Sequence, residues 1–238
     1  MNKKKLNVDL LICNTLNFDI ALKTLEYNSQ FFNFNKKILL SNKNETIKEF
    51  EVYNVGKFKS IQDYSDFMPQ LINYVEADHL LLIQDDGHIV NPNLWDDEYL
   101  KYDYIGAPWP SSKKWLKRFK KYDYFDEISK NFKKNRVGNG GFSLRSKKFL
   151  EYCSTFQDCA GVPEDIYFCI LNYEKSQNYG INFAPFEISY KFSAEHNFGH
   201  FFKKHPISNS KFEYKNHFGW HGKRFINSNE LMELKNTL

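Results

Sequence analysis

At 238 residues the chain is long enough for one generous domain with a real core and too short for two large ones. Its 42% hydrophobic and 18% aromatic content excludes a disordered polymer. A formal charge of +4 is mild, and fits a solvated surface with at most a weak attraction to anionic membranes or phosphorylated ligands.

Lysines at positions 3, 4 and 5 precede an apolar run that Asn7 and Asp9 interrupt, which is too short for a signal-peptide core. Nowhere do eighteen apolar residues follow one another, so a cytoplasmic protein is expected, with peripheral contact at the inner membrane face as the upper limit. Residues 8–13 form an apolar run of strand length, 18–28 a helix, 37–41 a second strand and 50–55 a third. Met68, Leu71, Ile72 and Val75 mark one face of a helix starting near Asp66, with Ser65 as its expected N-cap and Pro69 in its first turns. Residues 79–84 then read as a strand covered on both faces. Alternating strands and helices predict an α/β three-layer sandwich with a mainly parallel central sheet.

The second half is less regular. Residues 113–134 are rich in Lys, Tyr and Phe without clean periodicity, and read as a mobile loop or broken helix, a lid over a bound ligand. Residues 142–145 form a strand, Ser146 caps a short helix, and Pro163 opens another with Ile166, Cys169, Ile170 and Tyr173 in one stripe. Residues 181–184 return as a strand. No repeat or linker appears, so residues 1–238 are expected to form one domain. Cys13, Cys153, Cys159 and Cys169 make no CxxC pair and no zinc-ligand spacing, and read as buried or idle thiols in a reducing compartment.

Several polar groups stand out against this frame. Asp85 and Asp86 close the most buried-looking strand, where open α/β sheets bind ligands, and Gly87 lets the chain turn away. Adjacent strand side chains point to opposite sides, so one of the two acids is expected to face a given ligand. A carboxylate here can hold a divalent cation against a diphosphate, although Asp-Asp-Gly is also an ordinary polar turn. Asn139, Gly140 and Gly141 offer backbone N–H groups to a sugar or phosphate, or make a tight turn. Glu164 and Asp165 open a helix, where acids commonly serve as caps; the dipole there would keep Asp165 ionised at neutral pH, ready to accept a proton. His217 and His221 flank Phe218-Gly219-Trp220, and either could bind manganese; His196, His200 and His205 match no zinc pattern and read as surface or secondary-site residues. Trp109 could pack in the core or present a sugar-stacking face.

Taken in order, the segments resemble a family of predicted glycosyltransferases, formerly a domain of unknown function, related to GT-A enzymes. The resemblance runs from Gln84-x-Asp86-Gly87 through Val90-Asn91-Pro92 and Leu94-Trp95 to Asp103-Tyr104-Ile105-Gly106-Ala107-Pro108-Trp109. It resumes in residues 137–145, in Pro163-Glu164-Asp165, in Phe183-Ala184-Pro185, in Lys191-Phe192-Ser193-x-Glu195 and in Phe218-Gly219-x-His221-Gly222. It implies a GT-A-like fold and a hexosyltransferase using a nucleotide sugar, with a UDP-sugar favoured, and Mn2+ or Mg2+. Asp86 stands in place of the last acid of the Asp-x-Asp motif and Gln84 in place of the first, which removes one charge from the metal site. His221 is similar to a late histidine ligand, and Asp165 to the catalytic base of inverting members.

The resulting expectation is an inverting, metal-dependent transferase. Asp86 and His221 hold the cation, Asp85, Asp86, Asn139, Gly140, Gly141 and Trp109 contact the donor, Glu164 orients the acceptor and Asp165 takes its proton. The acceptor expected is a glycan or lipid-linked glycan, with no nucleic-acid partner. Two alternatives belong to other classes. One is a metal-dependent phosphoesterase using Asp85, Asp86 and His88, and the other a sugar- or nucleic-acid-binding module using residues 113–134.

Overall fold

A computed structural model describes residues 3–110, 113–195 and 216–222. The first strand, β1 (Val8–Cys13), is buried along its whole length, and α1 (Phe18–Ser29) follows with Asn17 accepting from the Ile20 N–H as N-cap. Next come β2 (Lys37–Ser41), β3 (Glu51–Asn54) and α2 (Ile61–Phe67), then a 3-10 stretch at Met68–Tyr74 and β4 (His79–Ile83). Short β5 (Gly87–Ile89) leaves the main sheet and β6 (Tyr104–Gly106) rejoins it. After α3 (Lys113–Leu116), a 3-10 turn and α4 (Phe125–Asn131) come β7 (Phe142–Ser146) and α5 (Lys147–Ser154), the latter capped by Ser146 as expected. One helical run comprises α6 (Glu164–Ile166), a π-helical turn at Tyr167–Leu171 and α7 (Tyr173–Asn178). The described chain ends with α8 (Phe186–Phe192), β8 (Ser193–Ala194) and β9 (Gly219–His221).

Six strands make the central sheet in the order β3-β2-β1-β4-β7-β6. The first four are parallel; β7 runs antiparallel between β4 and β6. Alternation sends Leu10, Ile12, Leu81, Ile83 and Leu144 to one face, where they pack with Ala21 and Leu25 of α1. Leu11, Leu40, Leu80 and Leu82 pack on the other with Met68, Leu71 and Phe149. Helices therefore cover both faces, which is why these strands read as unbroken apolar runs. Asp9 is the buried exception. Its carboxylate accepts the N–H groups of Lys36, Glu76 and Ala77 and the Asn35 amide, tying together the chain entering β2 and β4.

A second sheet, β5-β9-β8, is small but decisive for position, because its register sets His221 opposite Gly87. Among the described residues no helix is long and apolar enough to cross a membrane. All four cysteines are buried and free.

Two expectations change, and a third resolves between its alternatives. The helix near residue 66 begins at Ile61 with Ser60 as its cap, because Ser60 and Asp63 satisfy each other and the first N–H groups; the Ser65 hydroxyl donates instead to Ile61 O. Residues 181–184 form no strand: Phe183 makes a single bridge to Tyr104, and Pro185 directs the chain into α8. Residues 113–134 take the broken-helix alternative of the two expected, forming a helical lobe. Its Trp115, Phe119, Ile128 and Phe132 pack with Trp109, Val162, Ile166 and Ile170 into a third apolar cluster. The periodicity is hidden because the two helices are one and two turns long.

Candidate active site

The turn that leaves β4 is Gln84-Asp85-Asp86-Gly87, closed by the Gly87 N–H on Gln84 O at 2.9 Å. Helix α1 clamps it: Thr24 Oγ1 donates to Asp85 O, and Asn28 donates to Gly87 O while accepting the Ile89 N–H. The two acids part at this turn. Asp85 lines a cleft of about 440 Å³ at the carboxyl end of the parallel strands, with Asn14, Thr15, Lys59 and Tyr64. Asp86 meets His221, whose Nε2 lies 3.0 Å from Asp86 Oδ1 and 3.2 Å from Gln84 Oε1. The Gly222 N–H donates to Asp86 O, fixing the end of β9 beside the turn.

Burial opposes both charges of this pair, yet their hydrogen bond and mutual attraction prevail. The Asp86 carboxyl is held below its usual range and the His221 imidazole is raised. Gly141 lies so close that a methyl group there would run into the His221 ring. We expect Gly141→Ala to push His221 off Asp86 and bring its pKa down from the raised value. An NMR titration of the imidazole reads this directly; an unchanged pKa would mean the pair tolerates the methyl.

A divalent cation can be tested against these donors. Among the described residues no three His, Cys, Asp or Glu side chains assemble as a ready-made metal set. Gln84 supplies an amide oxygen beside the carboxylate and imidazole, giving an O,O,N set suited to manganese and less to magnesium. Two ligands about 2.1 Å from one cation and at right angles to each other lie about 3.0 Å apart. That is the Asp86–His221 spacing. The residues fit.

On the other side of the glycine pair lies Asp165. A Cβ at Gly140 would meet the Glu164 carboxylate and stand 3.4 Å from Asp165 Cβ, so the backbone runs against both acids. Asp165 Oδ1 accepts the Ile166 N–H at 2.8 Å, and the Gly140 backbone also bonds to the carboxylate. Burial first, then the neighbouring Glu164 charge, push the Asp165 pKa up to about 7. This corrects the expectation that the helix dipole keeps it ionised: α6 is three residues long, and desolvation outweighs it.

Glu164 is also corrected. Its carboxylate is held bidentately by Arg145, at 2.9 and 3.2 Å, with both side chains almost fully buried, so it faces a guanidinium and not an acceptor. Arg145 Nε donates to Ser143 Oγ, which donates to Gly140 O, linking the ion pair to the glycine loop. Trp109 is likewise no donor platform. It is 3% exposed, packs on Trp115 and closes over Gly138. Asn139 is buried, and its side-chain oxygen accepts the Gly141 N–H. His217 lies away from Asp86, fully buried edge-on to Tyr190, with burial lowering its pKa to about 4. His88 is buried against Tyr27, also lowered to about 4 by burial, and forms no three-ligand set with Asp85 and Asp86. His196, His200 and His205 lie outside the described residues.

Sequence reasoning gave no role to Arg145 or Glu195. Glu195 Oε1 lies 3.9 Å from His221 Nδ1, and its charge raises both His221 and Asp165. The signal for Arg145 was present, since a cation inside a buried strand demands a partner.

Residues 47–211 match the profile of a family described as protein of unknown function (DUF5672). No curated protein matches the sequence. Among solved structures the chain is similar to the galactosyltransferase LgtC in complex with donor and acceptor sugar analogues. Identity is 13% and the TM-score 0.54, over 97% of this chain and 96% of that one. An active-site glutamine-to-glutamate mutant of LgtC is similar at 13% identity and a TM-score of 0.52, with the same coverage. These likenesses identify the architecture as a GT-A-like glycosyltransferase fold.

Proposed function

The chain belongs to the DUF5672 family, described as protein of unknown function, and from that premise and its fold we propose that it is a nucleotide-sugar-dependent glycosyltransferase. One observation carries this reading. Two consecutive glycines separate the Asp86–His221 pair from Asp165, so a diphosphate site and a proton acceptor adjoin across one dipeptide. A donor sugar at Gly140 and Gly141 would lie between them.

The donor nucleoside, a UDP-sugar in our reading, occupies the cleft that Asp85, Tyr64 and Lys59 line. Leu16 and Ile61 at its rim are 76% and 68% exposed, apolar surface that a base would cover. Asp86 and His221, with Gln84, would hold Mn2+ or Mg2+. Bound there, the cation offsets charge on the leaving diphosphate. Asp165 takes the proton from an acceptor hydroxyl as its oxygen attacks the anomeric carbon opposite the diphosphate, which inverts that carbon. Arg145 and Glu164 position Asp165 and Gly140 and do not touch substrate. The acceptor in this reading is a glycan or lipid-linked glycan.

A thermal-shift screen of nucleotide sugars with and without manganese tests the reading, since a ligand binding only the folded state raises its stability. A metal-dependent shift with one nucleotide class is expected. No shift with any would count against it. NMR of the product's anomeric proton then reads inversion or retention. Asp86→Asn should weaken manganese-dependent UDP binding about tenfold or more in calorimetry, because a charged contact is lost. Unchanged affinity would remove Asp86 from the metal site.

A further inference from the structure

The charge of this chain is unevenly distributed. Residues 113–134 carry nine Lys and Arg against three Asp and Glu, a local +6, and the rest of the chain sums to −2. Folding sorts this segment by polarity, with Trp115, Phe119, Ile128 and Phe132 turned inward. Lys113, Lys117, Arg118, Lys120, Lys121 and Lys133 remain exposed. Lys130 and Lys134 converge on Glu174, but among the described residues no ion pair engages Lys117, Arg118, Lys120 or Lys121. A surface serving solubility alone balances both signs; this lobe exposes an excess of cations over its three exposed acids, Asp123, Asp126 and Glu127.

We infer that this lobe is a docking surface for an anionic phospholipid membrane. Lysine and arginine draw a protein to anionic headgroups within a Debye length, and tyrosine suits the boundary between headgroups and acyl chains. Tyr124 is 40% exposed in the same lobe, and Tyr122 and Phe125 are half-buried beside it. A nucleic-acid surface fits less well. Stacking on bases needs several open ring faces, whereas Tyr122 stacks on Phe119 and lies under the Lys121 ammonium.

The lobe packs directly on Ile166 and Ile170, in the helical run that carries Asp165. Docking would therefore bring the Asp165 helix to the lipid surface, where a lipid-linked acceptor is found. That consequence rests on the glycosyltransferase reading. Membrane binding itself does not, so each can fail alone.

The experiment is co-sedimentation of the full chain with phosphatidylcholine vesicles, with and without phosphatidylglycerol. Binding is expected only to the mixed vesicles, and should weaken with salt. Replacing Lys117, Arg118, Lys120 and Lys121 by Gln should weaken it about 100-fold or more, at roughly fivefold per cation. A control with Lys23, Lys48, Lys57 and Lys147 changed to Gln has the same net charge, and should bind nearly as the parent does. All eight side chains are exposed, and matching circular dichroism and melting curves verify that both variants fold. Absence of binding to mixed vesicles, equal loss in both variants, or displacement by an RNA oligonucleotide at matching affinity would each overturn the proposal.

Discussion

Asp165→Asn should abolish sugar transfer, with turnover falling about 10² to 10⁴-fold while donor affinity is retained. Asparagine keeps the volume, and its amide oxygen can still accept the Ile166 N–H that Asp165 Oδ1 now accepts. In the proposed mechanism what disappears is the proton acceptor, which would act on the acceptor hydroxyl and not on the nucleotide. Wild-type turnover should rise with pH as the carboxyl, pushed up to about 7, loses its proton. A bound cation would draw that limb lower. Stability should show the opposite trend. The folded-state pKa of Asp165 lies above its unfolded value near 3.8, so the folded form binds more protons between these two values. The stability held at acid pH is therefore lost as pH rises toward 7. The amide of the Asp165→Asn variant has no charge to desolvate, so that variant should match the parent at low pH and be the more stable at neutral pH. Single-turnover assays and melts at several pH values measure both. Near-normal turnover in a folded variant would overturn the base assignment.

Glu164→Gln should destabilise the protein by about 3–5 kcal/mol, because it strands the Arg145 guanidinium without its counter-charge in the interior. Arg145 is 1% exposed and has no route to water. Arg145→Met alone should be comparably damaging, for it leaves the Glu164 carboxylate unpaired. Combining Arg145→Met with Glu164→Leu should cost clearly less than the two single changes added together, since no orphaned charge remains. Urea melts of Arg145→Met, Glu164→Leu and the double variant supply the double-mutant cycle. Additive losses would show that the pair contributes only shape. In Glu164→Gln the acid limb of turnover should also move down, because a charge that raises Asp165 is gone.

How much of this was legible depended on whether a residue's surroundings lie nearby in the chain. β1, β2, α1, β4 and β7 follow from runs that must be buried on both faces or from a 3.6-residue stripe, and they appear within a residue or two of expectation. The apolar residues at 181–184 look the same locally, yet Pro185 and the lack of a long strand partner leave them a single bridge. The residues drawn together at the site, Asp86, Gly140, Gly141, Asp165 and His221, were each visible as chemistry at the end of an element. Their burial was not. Sequence alone could not say that Glu164 is engaged by Arg145, that Trp109 faces Gly138, or that desolvation outweighs a short helix at Asp165.

The small β5-β9-β8 sheet bears on how the molecule comes into being during synthesis. Every strand of the six-stranded sheet has left the ribosome once Ser146 has emerged, and that sheet can close on its own pairings. His221 arrives much later, and is seated only when β9 slides between β5 and β8, a closure between distant parts of the chain. A nascent chain stopped short of that strand would hold the cleft, the turn acids and Asp165 but not the imidazole. On the proposed reading, a complete Asp86–His221 pair would therefore exist only after nearly all of the described chain has been made.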